Sequence, residues 1–324
     1  MSIQVLACLA LVTVIAGSIA LDGTMVGESD REPDRDQPGD HPDVTVSRSA
    51  AWDSSRSRCR PADFATRIEV PEASGATYVA DNSYVLVVGD SSTRGRFIEI
   101  DPGTGHTLRT GNLPLNRQVS DDLEGLAFRD GIVYGITSSG WVRHWALDSS
   151  GTAATRYRLV EPAYPIARPG SRGGRGQTLV CDSPRDTNCA RDYEGLCLRV
   201  GPVAAGQCIG FAASRADGAL YCLVLRDSKL ALDPSRVISA LPPAVLAGCH
   251  FDGHDAVWLG ANWFGNNRVF RVTDWQDPDR PAVEMFDALG TGFAEAIAVG
   301  PDRAIYRFSD VAAWTSPAAR FFCE

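Results

Sequence analysis

Three glutamates recur in one local setting. Glu124, Glu194 and Glu295 each open a short apolar run, and Asp121, Asp122 and Asp192 stand immediately before the first two. A second set, Asp90, Ser138, Asn262 and Asp310, follows the next apolar run in four such neighbourhoods. Carboxylates that converge repel one another unless a cation neutralises them. Hard oxygen donors of this kind suit Ca²⁺, which takes about six to eight of them in loose geometry. The pattern predicts a calcium site with Asp122, Glu124, Asp192, Glu194 and Glu295 as metal ligands. Asp90, Ser138, Asn262 and Asp310 are the expected ligand-binding neighbours. No complete nucleophile, base and acid set accompanies them, so no catalytic residue is named. The competing reading makes each acid a strand cap or a solvated side chain.

These acids meet only if a repeated unit carries them to one place. One copy runs Leu123 to Phe128, a turn at Asp130-Gly131, Ile132 to Ile136, polar Thr137-Ser138-Ser139, then Trp141 to Ala146. Short runs of Val, Ile, Tyr, Trp and Phe punctuated by Asp-Gly favour strands. Related copies lie around Ala76, Tyr193, Cys249 and Glu295, making five. Repeats of roughly 40–50 residues with about four short strands each are the signature of a β-propeller. The expectation is an all-β propeller of five blades, or six if a worn copy is hidden, with a β-sandwich as the alternative. Because consecutive antiparallel strands reverse direction, the start of each innermost strand and the loop after the second share one face. Both sets of polar residues are therefore expected at one end of the central channel. Ala76 and Gly248 stand near the Glu position in the first and fourth copies. The fifth copy lacks a final strand, which Phe64 to Val70 would supply to close the ring. The Gly- and Arg-rich stretch Ala167 to Thr178 is expected as an exposed loop.

Outside the repeats, Ile3 to Leu21 carries no charge, and Ser18-Ile-Ala20 has the small-residue pattern of a signal-peptide cleavage site. A retained membrane anchor is the alternative, since the run reaches spanning length. Residues 1–20 are thus a signal peptide or anchor, 21–50 an acidic disordered linker, and 51–324 the propeller. Asp22 to Asp43 holds −6 of the net charge of −9 and almost no core-forming residues. The remainder shows no basic stripe, which argues against nucleic acid as a partner. With Cys8 in the signal, eight cysteines are left, an even number that points to disulfides in an oxidising compartment. Zinc lacks its Cys-x-x-Cys spacing. Cys181 with Cys189 would pin a loop, and Cys59 with Cys323 would tie the two ends together. The expected location is secreted or periplasmic, with membrane contact only through an uncleaved N-terminus. The expected form is a monomer with a small-molecule or protein ligand on the channel face.

Asp122-Leu-Glu-Gly-Leu-Ala127, Asp192-Tyr-Glu-Gly-Leu-Cys197 and Ala294-Glu-Ala-Ile-Ala298 resemble the strand openings of phytase-like esterase and SdiA-regulated propellers. The resemblance spans most of Ala76 to Asp310. It implies a propeller with a calcium site, and phosphoester or ester hydrolysis in some relatives, with Glu124, Glu194 and Glu295 as metal ligands or substrate-facing acids. The third motif departs by carrying Ala296 in place of Gly. A phosphate substrate would also need a basic surround, for which Arg143, Arg215, Arg226 and Arg307 are the candidates. Val88-Gly-Asp-Ser-Ser-Thr-Arg-Gly95 looks like the nucleophile block of GDSL-type esterases. It lacks the Asp-x-x-His partner and reads instead as a polar loop between strands.

Overall fold

Strand after strand buries both of its faces, each against a different neighbour. In Tyr84–Gly89, Tyr84, Leu86 and Val88 pack into one core while Val85 and Val87 pack into another. That is the period-2 alternation of a strand standing between two sheets. The computed structural model describes residues 59–323 apart from 117, 149, 153–154, 174–175, 240, 242–244, 254, 264–265, 288, 291 and 312. The expected signal segment and acidic linker lie outside the described residues.

Two short strands, β1 (Cys59–Pro61) and β2 (Arg67–Ile68), open the described chain. Blade 1 comprises β3 (Ala73–Val79), β4 (Tyr84–Gly89), β5 (Arg96–Ile100) and β6 (Thr107–Asn112). Blade 2 comprises β7 (Leu123–Arg129), β8 (Ile132–Thr137) and β9 (Trp141–Leu147). Its outer position is shared by β10 (Tyr157–Leu159) and β11 (Tyr164–Pro165), both paired with β9. Blade 3 is β12 (Tyr193–Leu198), β13 (Gly210–Ser214), β14 (Leu220–Arg226) and β15 (Lys229–Ile238). Blade 4 is β16 (Leu246–Phe251), β17 (Val257–Trp263), β18 (Asn266–Thr273) and β19 (Ala282–Phe286). Blade 5 runs outward from β20 (Phe293–Val299) through β21 (Ala304–Asp310) to β22 (Ser316–Cys323). The innermost strands touch in the closed sequence β3, β7, β12, β16, β20 and back to β3, so the protein is a five-bladed β-propeller.

Five hydrophobic cores fill the wedges between successive blades. Trp145 is the largest fully buried side chain and lies in the wedge between blades 1 and 2, its indole N–H donating to the Pro114 carbonyl at 2.8 Å. Ring closure differs in detail from the expectation of one strand within Phe64 to Val70. β1 and β2 pair with separate stretches of β22, Cys59 opposite Cys323 and Arg67 opposite Pro317. The pairing is interrupted at residues 63–65, while the Ala62 N–H still donates to the Arg320 carbonyl and the Thr66 carbonyl accepts from the Ala318 N–H. The Cys59–Cys323 disulfide locks this closure across 264 residues of chain. A loop of that length confers on the order of 5 kcal/mol in the chain-entropy account. Cys181–Cys189, Cys197–Cys249 and Cys208–Cys222 complete four disulfides. No helix among the described residues is long and apolar enough to cross a membrane.

Candidate metal centre

Every innermost strand carries the same defect. The register with its neighbour slips once, between Ala73 and Gly75, Leu123 and Gly125, Tyr193 and Gly195, Leu246 and Gly248, and Ala294 and Ala296. A bulge of this kind leaves one residue out of the ladder and re-aims its side chain. The five residues so released are Ser74, Glu124, Glu194, Ala247 and Glu295. The equivalents in the first and fourth copies are therefore Ser74 and Ala247, not Ala76 and Gly248. Counting back from the following strand misses the extra residue. The glycine after Glu124 and after Glu194 has a steric reason: a Cβ on Gly125 would fall 2.4 Å from the Leu196 nitrogen, and one on Gly195 2.7 Å from the Cys249 nitrogen. Inner strands of adjacent blades approach this closely just below the acids. Cys197–Cys249 bridges two of them.

The bulges bring Glu124, Glu194 and Glu295 together, with one oxygen of each within 4.8 Å of the others. Asp90, Asp122 and Glu124 form a second such group, so Glu124 belongs to both. Asp122, Glu124, Glu194 and Glu295 are each at most 8 % exposed. Burial pushes all of these acids upward. Asp90 rises to about 6, with Asp122 adding to the effect of burial and the Ser91 backbone N–H opposing it. Glu295 rises to about 7, with Asp310 adding to burial. Glu194 rises to about 8 through burial and Glu295, against the pull of Arg215. Glu124 is driven well above the ordinary glutamate value by burial and then by Glu194, Asp90, Asp122 and Glu295. A site this crowded with buried acids either holds protons or holds a cation.

On the second strand, the residue that follows the partner of the position just before each bulge is Asp90, Ser138, Arg215, Asn262 or Asp310 in blades 1 to 5. Arg215 is the member that sequence alignment on the acids omits. Matching β13 to the second strands of the other blades would have found it. Its guanidinium lies 3.1 Å from Glu194. Ser138 and Asn262 hold acids in place. Ser138 donates to Asp122 Oδ2 through its backbone N–H at 3.1 Å and its hydroxyl at 2.5 Å, and Asn262 Nδ2 donates to Glu295 Oε1 at 3.2 Å. Asp192 and Asp310 fall outside both three-carboxylate groups. Burial raises both, and Arg215 opposes it in each case. The disulfide loop Cys181–Cys189 braces this arrangement, because the Asn188 backbone N–H donates to the Ser138 hydroxyl at 2.8 Å.

The other candidate arginines do not ring the acids. Arg226 lies in a separate outer cleft with Arg168 and Arg172. Arg307 is buried between blades 4 and 5, where Gly260 leaves room for it, and it donates to the Ala294 carbonyl. Burial lowers its pKa to about 9. Arg143 donates to the Val119 and Ser120 carbonyls and to Asn116. Ser91 sits in a turn followed directly by β5, as expected of a loop between propeller strands.

No family model matches the chain, and no curated protein matches it. Among solved structures, it is similar to a glutaminyl cyclase from Myxococcus xanthus, at 13 % identity over 82 % of this chain and 95 % of that one, with a TM-score of 0.47. A luciferin-regenerating enzyme gives 10 % identity over 78 % and 92 % of the two chains, with a TM-score of 0.43. A calcium-binding regucalcin from Agrobacterium tumefaciens gives 14 % identity over 78 % and 88 %, with a TM-score of 0.40. Likenesses this distant say nothing about activity, and the blade count rests on the strand pairing alone.

Proposed function

We propose that this chain is an exported propeller whose channel mouth binds a divalent cation and, with it, a ligand. The observation that carries the reading is Glu124, buried and shared between two groups of three carboxylates. Among the described residues it forms no ion pair with a protein cation. The donors are all oxygens, which suits Ca²⁺ and offers nothing to softer metals that prefer nitrogen or sulfur. Asp90, Asp122, Glu124, Glu194 and Glu295 would hold the ion. Bound there, it would neutralise the acids and polarise an oxygen of whatever ligand enters the mouth. Export fits four disulfides, which persist in oxidising compartments.

Ligand binding without turnover is the first reading, because among the described residues no ring of basic side chains surrounds the acids. Metal-assisted hydrolysis of an ester or phosphoester, the chemistry of the phytase-like propellers, is the second. Arg215 favours it: its side chain is 43 % exposed, a cation within reach of both Glu194 and an entering anion.

Thermal unfolding of the oxidised protein with Ca²⁺ and with chelator tests the cation site. At a hundredfold excess over Kd, a ligand of the folded state adds ~2.7 kcal/mol, or roughly 5–10 °C for a domain of this size. Glu124→Gln should abolish that rise while leaving the chelated protein at least as stable as the parent. No shift at millimolar Ca²⁺ would sink the reading. Turnover of p-nitrophenyl phosphate or acetate that needs Ca²⁺ and is lost in Arg215→Ala would select the enzyme; Ca²⁺ binding without turnover would select the binding module.

A further inference from the structure

Beside the acids, between blades 1 and 2, a cavity of about 560 Å³ is lined by Arg94, Arg185, Asn116, Ser120 and Asp121 over an apolar wall of Leu113 and Leu115. Three separate segments build it: the turn after β4, the connection from β6 to β7, and the disulfide loop. Two bonds tie them together, from the Arg94 backbone N–H to Asp121 Oδ2 at 3.0 Å and from the Ser120 N–H to the Pro184 carbonyl at 3.0 Å. Behind the wall lies Arg143, wholly buried, which holds Asn116, Val119 and Ser120 by their oxygens.

Among the described residues, Arg143 Nη1, Asn116 Nδ2 and the Ser120 hydroxyl are buried and have no hydrogen-bond partner. Buried polar groups are nearly always satisfied, so three unsatisfied donors on mutually bonded residues mark a place prepared for an acceptor. The formal charge agrees. Among the lining residues Arg94 and Arg185 outnumber Asp121, and the side chains of both arginines are exposed and make no ion pair among the described residues. Guanidinium groups match the planar, two-oxygen geometry of carboxylates and phosphates.

We propose that this cavity binds the oxyanion of a small molecule, a carboxylate or a phosphate. Arg94 and Arg185 grip it from the solvent side, and Asn116, Ser120 and Arg143 supply donors from within. The cavity exceeds the volume of inorganic phosphate, and Leu113 and Leu115 leave the rest of it to an apolar portion of the ligand. The site is distinct from the cation centre and does not depend on it.

The test is calorimetric titration of the oxidised full chain with inorganic phosphate, and separately with acetate, in chelator and against chloride at equal ionic strength. Saturable binding of either is expected, and the stronger of the two identifies the oxyanion. The double variant Arg94→Ala/Arg185→Ala, which alters exposed side chains alone, should weaken it about tenfold or more, and Asn116→Leu should weaken it independently. Absence of saturable binding by both anions overturns the proposal, as does binding that both variants leave intact. Because chelator is present throughout, anion binding without any Ca²⁺ response would sink the cation reading and leave this one standing.

Discussion

Two sets of buried carboxylates in this propeller live under opposite rules. Glu99, on β5, is 2 % exposed and fully partnered: Oε1 accepts from Arg156 Nε at 2.5 Å and the Tyr157 hydroxyl at 2.8 Å, and Oε2 from Arg109 Nη1 at 3.2 Å. Glu124 is 4 % exposed, and its close neighbours are other acids. Burying a charge is expensive, and the interior meets that cost at Glu99 with two guanidiniums and a phenol. At Glu124 no protein cation among the described residues meets the same cost. The difference separates a carboxylate neutralised by the fold from one whose described neighbours are other acids.

The largest effect is expected where compensation is complete. Glu99→Ala would strand Arg156 in the wedge between blades 1 and 2 and cost about 3–5 kcal/mol. Denaturant unfolding measures it, and Ca²⁺ should restore none of it. A cost near zero would dissolve the contrast between the two sets.

The next effect is a dependence on pH. Between the ordinary glutamate value of 4.5 and about 8, the folded state keeps a proton on Glu194 that the unfolded chain has released. Glu295 behaves alike up to about 7. Stability in chelator should therefore fall as pH rises through this window, because the native state binds more protons there than the unfolded one. Saturating Ca²⁺ should flatten or reverse the slope. Melting curves from pH 5 to 9 with and without the ion check both, and a flat profile in chelator would mean the acids are compensated after all.

The smallest effect concerns a brace. Ser138→Ala removes the hydroxyl that donates to Asp122 and receives the Asn188 N–H. Losing that donor should raise the Asp122 pKa further and cost about 1 kcal/mol of stability. Ca²⁺ binding, followed by calorimetry, should weaken by about three- to tenfold for the same lost bond. Unchanged affinity would place Asp122 outside the cation shell and leave Glu124, Glu194 and Glu295 as the centre.

Much of the fold was legible because its signals are local. An acid followed by Gly at the head of an apolar run marks the bulge in blades 2 and 3, and Asp130-Gly131 marks a hairpin turn whose Gly131 adopts φ 77°. Ring closure was legible in outline, since Cys59 and Cys323 lie on either side of the five repeats. The site was legible only in part. Arg215 was legible as a candidate base but not as a member of the second set, because blade 3 puts a base where the other blades put an acid, an amide or a hydroxyl. Ser138 and Asn262, expected to bind ligand, donate to Asp122 and Glu295, contacts the sequence did not show. Arg143 and Arg307 looked like a basic surround, yet their strands point them into the wedges between blades.

The sequence alone determined the all-β class, the repeats and the placing of Glu124, Glu194 and Glu295 at the openings of innermost strands. Each of these depends on residues within one hairpin of one another, where strand periodicity and turn chemistry act directly. The tertiary structure decided which oxygens come within 4.8 Å, why Glu99 is neutralised and Glu124 is not, and that Cys197 meets Cys249. It also decided that three donors near Arg143 stand together without an acceptor among the described residues. Those facts join residues from different blades. The period of a strand states which face a side chain takes, but the distance across the ring follows from how the wedges pack.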